Sequence, residues 1–427
     1  MPDPEKELPD LHKIFDRMFS KPAKGPTDQK QALFERTTGS LPKRLAAGSL
    51  KQAVERFSSG GKGSSLRWIT RQIKQTVGVD LGASAIKVIC VENGKVTAAA
   101  FEQIPADFSE PQRRVFCQER LRELKRQGLL KGRLVMGVVE EKMAVESVTM
   151  PKMPQADLEK AILWEAKERM AVKPPGHCIR QLITGETMVD GQPHKEILIF
   201  AVPAEEIVNS YGMIAGYGSR VAAAEPGILA SAAALEAAGL IQPGRFIGVL
   251  DIGYKHSTLA LVVEGEIRFV RTFSVAGELL TQSIVQYCKL NRDEAETQKR
   301  EFGLTQVGAS ESQKEGEKNL TFQVGHALSL QMEQLATELD HSLRYVTYYS
   351  LGRGKGGRME CLYLVGGGSL LKNLPAFLET RLDTRVEVAD PFRSVAVSDA
   401  VRAKLGSLET RVRLATALGL ALRPIGK

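Results

Sequence analysis

One design occurs twice in this chain, and it constrains the fold more than any other feature. Residues 76–96 run from an apolar stretch into Asp80, then Gly82 and small residues, then Lys87 and a β-rich run to Val91, and turn at Asn93-Gly94. Residues 246–267 repeat the plan, with Asp251, Gly253, a β-rich run from Thr258 to Val263 and a turn at Glu264-Gly265. The hairpin glycine follows the aspartate by 14 residues in both copies. Such x-Gly pairs between apolar runs signal two-residue hairpins. The alternation continues into residues 101–104 and 269–273, so each copy predicts a three-stranded antiparallel meander. The copies stand 171 residues apart. That period is too long for a solenoid and predicts two similar lobes.

An aspartate at the end of a buried strand holds a carboxylate at a cleft edge, and a glycine two residues later lets backbone N–H groups turn toward a phosphate. Mg²⁺ prefers one or two carboxylates plus phosphate oxygens and water, so opposed Asp80 and Asp251 suit a Mg-nucleotide. A third element is LYLVGGGS at 362–369, followed by Leu370, Leu371, Leu374 and Phe377. It predicts a strand, a glycine turn that a ligand can approach closely, and then a helix N-terminus. This run matches neither GxGxxG nor GxxxxGK[ST], and the chain has no GxSxG, so Rossmann and P-loop readings lack their fingerprints at the glycine turn and nucleophile-elbow chemistry lacks its own.

The length of 427 residues predicts two or three domains. Five cysteines are scattered singly and the six histidines form no HExxH. A disulfide framework or a His/Cys metal centre is therefore not expected, and a reducing cytosol is. No apolar run reaches the roughly 20 residues of a membrane span.

Charge is concentrated at one end. Residues 1–76 carry 15 Lys/Arg against 8 Asp/Glu, whereas the remainder is nearly balanced at 43 against 42. Residues 1–73 alternate amphipathic stretches (Leu11, Ile14, Phe15, Met18, Phe19) with spacers such as the Ser/Gly run at 58–65. Leu66, Trp68, Ile69 and Ile73, interleaved with Arg67, Arg71 and Lys74, suit an anionic membrane surface or a partner. A flexible tail that folds only on contact is the plainer reading. Few aromatics and no recognisable fold argue against nucleic acid.

Between the repeats, residues 150–219 read as helix, strand, strand, helix: a small inserted α+β subdomain. Its first helix carries an apolar stripe of Leu158, Ile162, Leu163, Ala166 and Met170, in which Trp164 is expected to pack. The domain plan is thus a basic extension at 1–73, a first lobe at 74–149 and 220–245, the insert at 150–219, and a second lobe at 246–427 with helices around 285–350.

The order of Asp-x-Gly hairpin, second Asp-x-Gly hairpin and GGG turn resembles the actin-like ATPase superfamily. Within it, residues 150–170, 271–277, 293–299 and 334–349 are similar to the PilM family of type IV pilus assembly, a relative of FtsA. The resemblance spans roughly residues 74–424. It implies an α/β, actin-like (ribonuclease H-like) duplicated two-lobe ATPase fold that binds ATP and Mg²⁺. Asp80 and Asp251 are then the metal-side carboxylates, acting through water. Gly82, Ala83, Ser84 and Lys87 match the first phosphate loop; Gly253, Tyr254, Lys255, Ser257 and Thr258 match the second. Gly277, Glu278, Glu296 and Lys299 match positions flanking ribose and base, and Gly366, Gly367, Gly368 and Ser369 the adenosine motif. Glu225, before Pro226, resembles the residue that positions water in relatives such as MreB. Bulky Tyr254, Lys255 and His256 depart from the small or hydroxyl residues expected in the second loop.

The resemblance also implies a cytoplasmic protein, peripheral at the inner membrane, that docks the N-terminal tail of a PilN-like membrane protein and meets other pilus assembly proteins. A docking role needs differential affinity between two states rather than fast chemistry, so ATP turnover is expected to be weak or absent. An FtsA-like tethered filament protein and a small-molecule kinase of the same superfamily stay open. The kinase lacks a convincing substrate-side base between Pro105 and Met150.

Overall fold

The structure, a computed structural model, describes residues 75–138, 140–170, 172, 176–215, 221–304, 315–350 and 357–423. The basic extension and its amphipathic stretches lie outside these residues.

The first repeat folds as an antiparallel meander of β1 (Thr76–Leu81), β2 (Ala85–Glu92) and β3 (Lys95–Gln103). Asn93 and Gly94 at its turn have φ of 50° and 78°, the left-handed pair that a type I′ hairpin requires. Helix α1 (Glu110–Arg126) starts behind Ser109, whose backbone N–H donates to the Gln112 side chain at 2.9 Å. Strand β4 (Arg133–Val138) then lies parallel to β1.

The insert begins earlier than the sequence reading placed it. Strand β5 (Ala144–Pro151) precedes helix α2 (Gln155–Arg169) and joins β6 (His177–Val189) and β7 (Gln192–Pro203) in a three-stranded sheet of order β5-β7-β6. Leu158, Ile162 and Ala166 of α2 pack on Ile197, Ile199 and Ala201. Trp164 does not pack there and is 60% exposed. It sits two residues from Ile162, about 200° around the helix, on the side away from the sheet. Helix α3 (Ala204–Ala215), expected to complete the insert, packs on the first lobe instead, its Ile207 and Ile214 joining Leu134 and Met136.

The first lobe resumes with β8 (Val221–Pro226), parallel to β4, and helix α4 (Gly227–Ala237). The second lobe repeats the plan with β9 (Phe246–Ile252), β10 (Ser257–Val263) and β11 (Glu266–Phe273). Helices α5 (Gly277–Cys288), α6 (Arg292–Phe302) and α7 (Glu315–Tyr345) follow, then β12 (Cys361–Val365), α8 (Leu374–Leu382) and β13 (Arg385–Val388). The strand orders, β3-β2-β1-β4-β8 and β11-β10-β9-β12-β13, are the same topology twice.

The second lobe does not run to the end of the chain as the domain plan has it. After β13 the chain crosses back: β14 (Ala396–Val397) pairs with β3. Short helices α9 (Asp399–Arg402) and α10 (Leu408–Arg413) then lead to α11 (Ala415–Leu422), which lies on β1 and α4. Seven of its eight residues are buried, and such all-round burial is why it needs a sheet and a helix to cover it. Close approach is secured by small residues. A Cβ at Gly78 would lie 2.6 Å from the Ala421 nitrogen, and one at Gly419 would lie 2.9 Å from the Ala230 Cα.

Candidate functional site

The shared hairpin register builds the site. Asp80 pairs across its hairpin with Lys87, and Asp251 with Thr258, so a side chain seven residues after each aspartate returns beside it. Lys87 Nζ donates to Asp80 at 2.8 Å. Burial works against the lysine charge, but Asp80, and beyond it Asp251 of the other lobe, outweigh that and hold the Lys87 pKa above its ordinary value. The Asp251 pKa is raised, first by burial; Lys87 opposes the shift, while Glu140 and Asp80 add to it. Lys87 and Asp251 thus influence each other's charge from opposite lobes.

First-lobe hydroxyls fix Asp251. Ser231 of α4 donates to its carboxylate at 2.9 Å and Thr416 of α11 at 3.1 Å. Glu140, buried just after β4, spans the lobes in the other direction. It accepts the Ile228 N–H at 2.7 Å, at the N-terminus of α4, and the Thr258 hydroxyl at 2.9 Å. His256 Nε2 stands 3.6 Å from Glu140, and its Nδ1 is buried without a hydrogen-bond partner.

The loops between the paired strands are tied down through their carbonyl oxygens. Arg113 of α1 donates to the Gly82 oxygen at 2.6 Å, and Ile104 N–H and the Gln103 amide donate to the Ser84 oxygen at 2.8 and 3.0 Å. Ala83 lies in the same bend. In the second loop, Gly277 N–H donates to Gly253 at 3.1 Å and Glu278 N–H to Tyr254 at 2.7 Å. Gly253 spends its own N–H on the His256 carbonyl at 3.0 Å. The bulky Tyr254 turns toward the helices, where its hydroxyl accepts from Arg292, which also donates to Glu278 at 2.8 Å. Lys255 points to Glu141 of the first lobe, at 3.8 Å.

Other matched residues are committed to the scaffold. The Ser257 hydroxyl donates to the Val275 carbonyl at 2.6 Å. Lys299, buried, donates to the Gly277 carbonyl, the Thr281 hydroxyl and Glu296 at 3.0, 2.8 and 2.6 Å. Burial disfavours the Glu296 charge, yet Lys299 and the Thr281 hydroxyl hold its carboxyl below the ordinary value.

The glycine motif abuts the second aspartate. Gly366 has φ of 81°, and a Cβ there would fall on the Asp251 carboxylate and 2.6 Å from the Ile252 carbonyl oxygen. Gly368 is pressed against Ile252, whereas a Cβ on Gly367 would meet nothing within 4 Å. The Ser369 hydroxyl closes the turn onto the Gly366 carbonyl at 2.7 Å. The glycines enter a single 3₁₀ turn (Gly367–Leu370), not the expected helix. Left-handed Asn373 intervenes, and α8 begins only at Leu374.

Glu225 does not join the cluster. It lies at the end of β8, 2% exposed, ion-paired with Arg423, and one of its oxygens is buried without a partner. Glu140, which sequence reasoning did not single out, stands beside Asp251. The available signal was the acidic pair Glu140-Glu141 ending the apolar run of β4. Ser231 and Thr416 carried no local signal. Among the described residues no group of three or more His, Cys, Asp or Glu is arranged to hold a metal ion.

Residues 229–425 match the family model described as "Type IV pilus assembly protein PilM". A chain of a PilM–PilN type IV pilus biogenesis complex superposes with a TM-score of 0.67 at 24% identity, over 82% of this chain and 99% of that one. The ethanolamine utilization protein EutJ of Carboxydothermus hydrogenoformans gives a TM-score of 0.45 at 16% identity, over 82% and 89%. MreB 5 of Spiroplasma citri, bound to AMPPNP, gives 0.46 at 12%, over 81% and 94%. The resemblance read from the sequence is thus shown, and the duplicated topology is an actin-like two-lobe fold.

Proposed function

We propose that this chain binds ATP with Mg²⁺ between its lobes and serves type IV pilus assembly from the cytoplasmic side of the inner membrane. There it docks a PilN-like membrane protein's tail in a nucleotide-dependent way. The observation that carries the reading is that the Asp80–Lys87 pair and Asp251 both stand at the junction of the lobes, where Ser231 and Thr416 donate to Asp251 and Glu140 links Ile228 to Thr258. The residues fit the nucleotide. A buried, unpartnered His256 Nδ1 offers a polar contact, Lys87 supplies positive charge, and the open face at Gly367 admits close backbone approach. Bound Mg²⁺ would offset negative charge on the phosphates and the two carboxylates.

The same geometry supports slow chemistry. Both oxygens of Glu140 are occupied, one by the Ile228 N–H and one by the Thr258 hydroxyl. A carboxylate so tied is a poor proton acceptor until the lobes shift. The PilM–PilN relative is the support for a PilN-like partner.

Calorimetric titration with MgATP tests the site. Asp80→Ala and Asp251→Ala proteins that keep the wild-type circular dichroism spectrum should bind at least tenfold more weakly. Unchanged affinity with normal Mg²⁺ dependence in both would sink the reading.

A further inference from the structure

The insert is covalently part of the first lobe, yet its sheet is packed against the second. Its two faces divide the work. On one, Ile197, Ile199 and Ala201 meet α2. On the other, Leu198, Phe200, Val202 and Cys178 belong to the same core as Ala260, Val262 and Val270 of the second lobe. Strand β11, the edge of the second-lobe sheet, packs against β5, β6 and β7.

At this seam lies a recess shaped for one side chain. Arg268 of β11 is ion-paired through Nη1 with Glu196 of β7, and both side chains are under 20% exposed. The opposing strand makes room in two ways. Register shifts between Ile183 and Gly185, so Thr184 is an extra residue whose hydroxyl donates to the Glu196 carbonyl at 3.2 Å. Gly185 pairs with Glu196, and a Cβ there would overlap the Arg268 guanidinium and stand 2.8 Å from the Glu196 carboxylate. A bulge and a missing Cβ at one point of a strand are features that are kept for local purposes. Here both serve to admit Arg268.

We propose that the insert is a strap across the two lobes, with the Arg268–Glu196 pair as its latch, and that the latch governs how readily the gap between Asp80 and Asp251 opens. An opening of the lobes must either peel β11 from the insert or pull α3 from the first lobe, where Ile207 and Ile214 are buried. At α3 the ion pair is the more exposed Lys142–Glu206, with Lys142 62% exposed, whereas at the β11 seam both partners are shielded, and parting a low-exposure ion pair leaves two charges to be rehydrated or re-paired. This proposal goes beyond nucleotide binding and does not depend on it.

Hydrogen exchange read by mass spectrometry on the full chain, without nucleotide, tests it. In the wild type, amides of β11 and of β6–β7 should open together with one rate. In Arg268→Ala and Glu196→Ala, exchange should speed on the order of a hundredfold in β11, in β6–β7 and in the hairpin tips at 80–87 and 251–258. The double variant should be no worse than either single variant, and Arg268→Lys, which keeps the charge, should lie between. Loosening of β6–β7 with unchanged hairpin tips would overturn the strap, as would separate opening of β11 and the insert in the wild type. A second arm adds MgATP. Protection of the hairpin tips there reports nucleotide binding alone, so a failure of the nucleotide reading leaves the nucleotide-free result intact.

Discussion

At the residue scale, two buried glutamates stand in different places, and the sequence reading singled out only Glu225. Glu140 touches both lobes beside Asp251, whereas Glu225 is held by Arg423. Burial raises the Glu225 pKa, and Arg423 only partly offsets this. The native state therefore holds this proton more tightly than the unfolded chain does. Its contribution to stability is complete below the ordinary value of 4.5 and is lost as pH rises through the raised native value. Urea unfolding from pH 4.5 upward should show a shallower fall in stability for Glu225→Gln than for wild type, with nucleotide affinity unchanged. Glu140→Gln should instead alter any ATP turnover, read as phosphate release.

At the element scale, much of the fold was legible because hairpins announce themselves locally. Asn93-Gly94, Asp190-Gly191 and Glu264-Gly265 all take the positive φ pair that their sequence predicts. Seven-residue spacing then sets Lys87 and Thr258 in register with their aspartates. What stayed hidden depends on distant packing. Strand β5 has little apolar alternation of its own, and its place is decided by β7. The identities of Ser231 and Thr416 as partners of Asp251 need contacts 20 and 165 residues away. A local device tests the same logic on α6. The Asn291 side chain accepts the Glu294 N–H at 2.9 Å while Glu294 reaches back to the Asn291 N–H at 3.1 Å. Asn291→Ala should cost about 1 kcal/mol by thermal or urea unfolding.

At the scale of the whole molecule, the lobes exchange segments. Residues that follow the second lobe supply the layer beneath β1, through Leu414, Ala417, Leu418 and Ala421 packed with Ile89, Val91 and Val96. Deleting 415–423 should expose that apolar sheet and remove the Thr416 hydroxyl from Asp251. The variant should bind a hydrophobic dye and lose the cooperative unfolding of the wild type. Gly78→Val, which drives side-chain bulk into Ala417 and Ala421, should destabilise in the same direction by roughly 1–3 kcal/mol. During synthesis, the meander at 76–103 leaves the ribosome more than three hundred residues ahead of the helix that covers it. A nascent chain of this design must keep a half-finished apolar surface from aggregating for most of its translation.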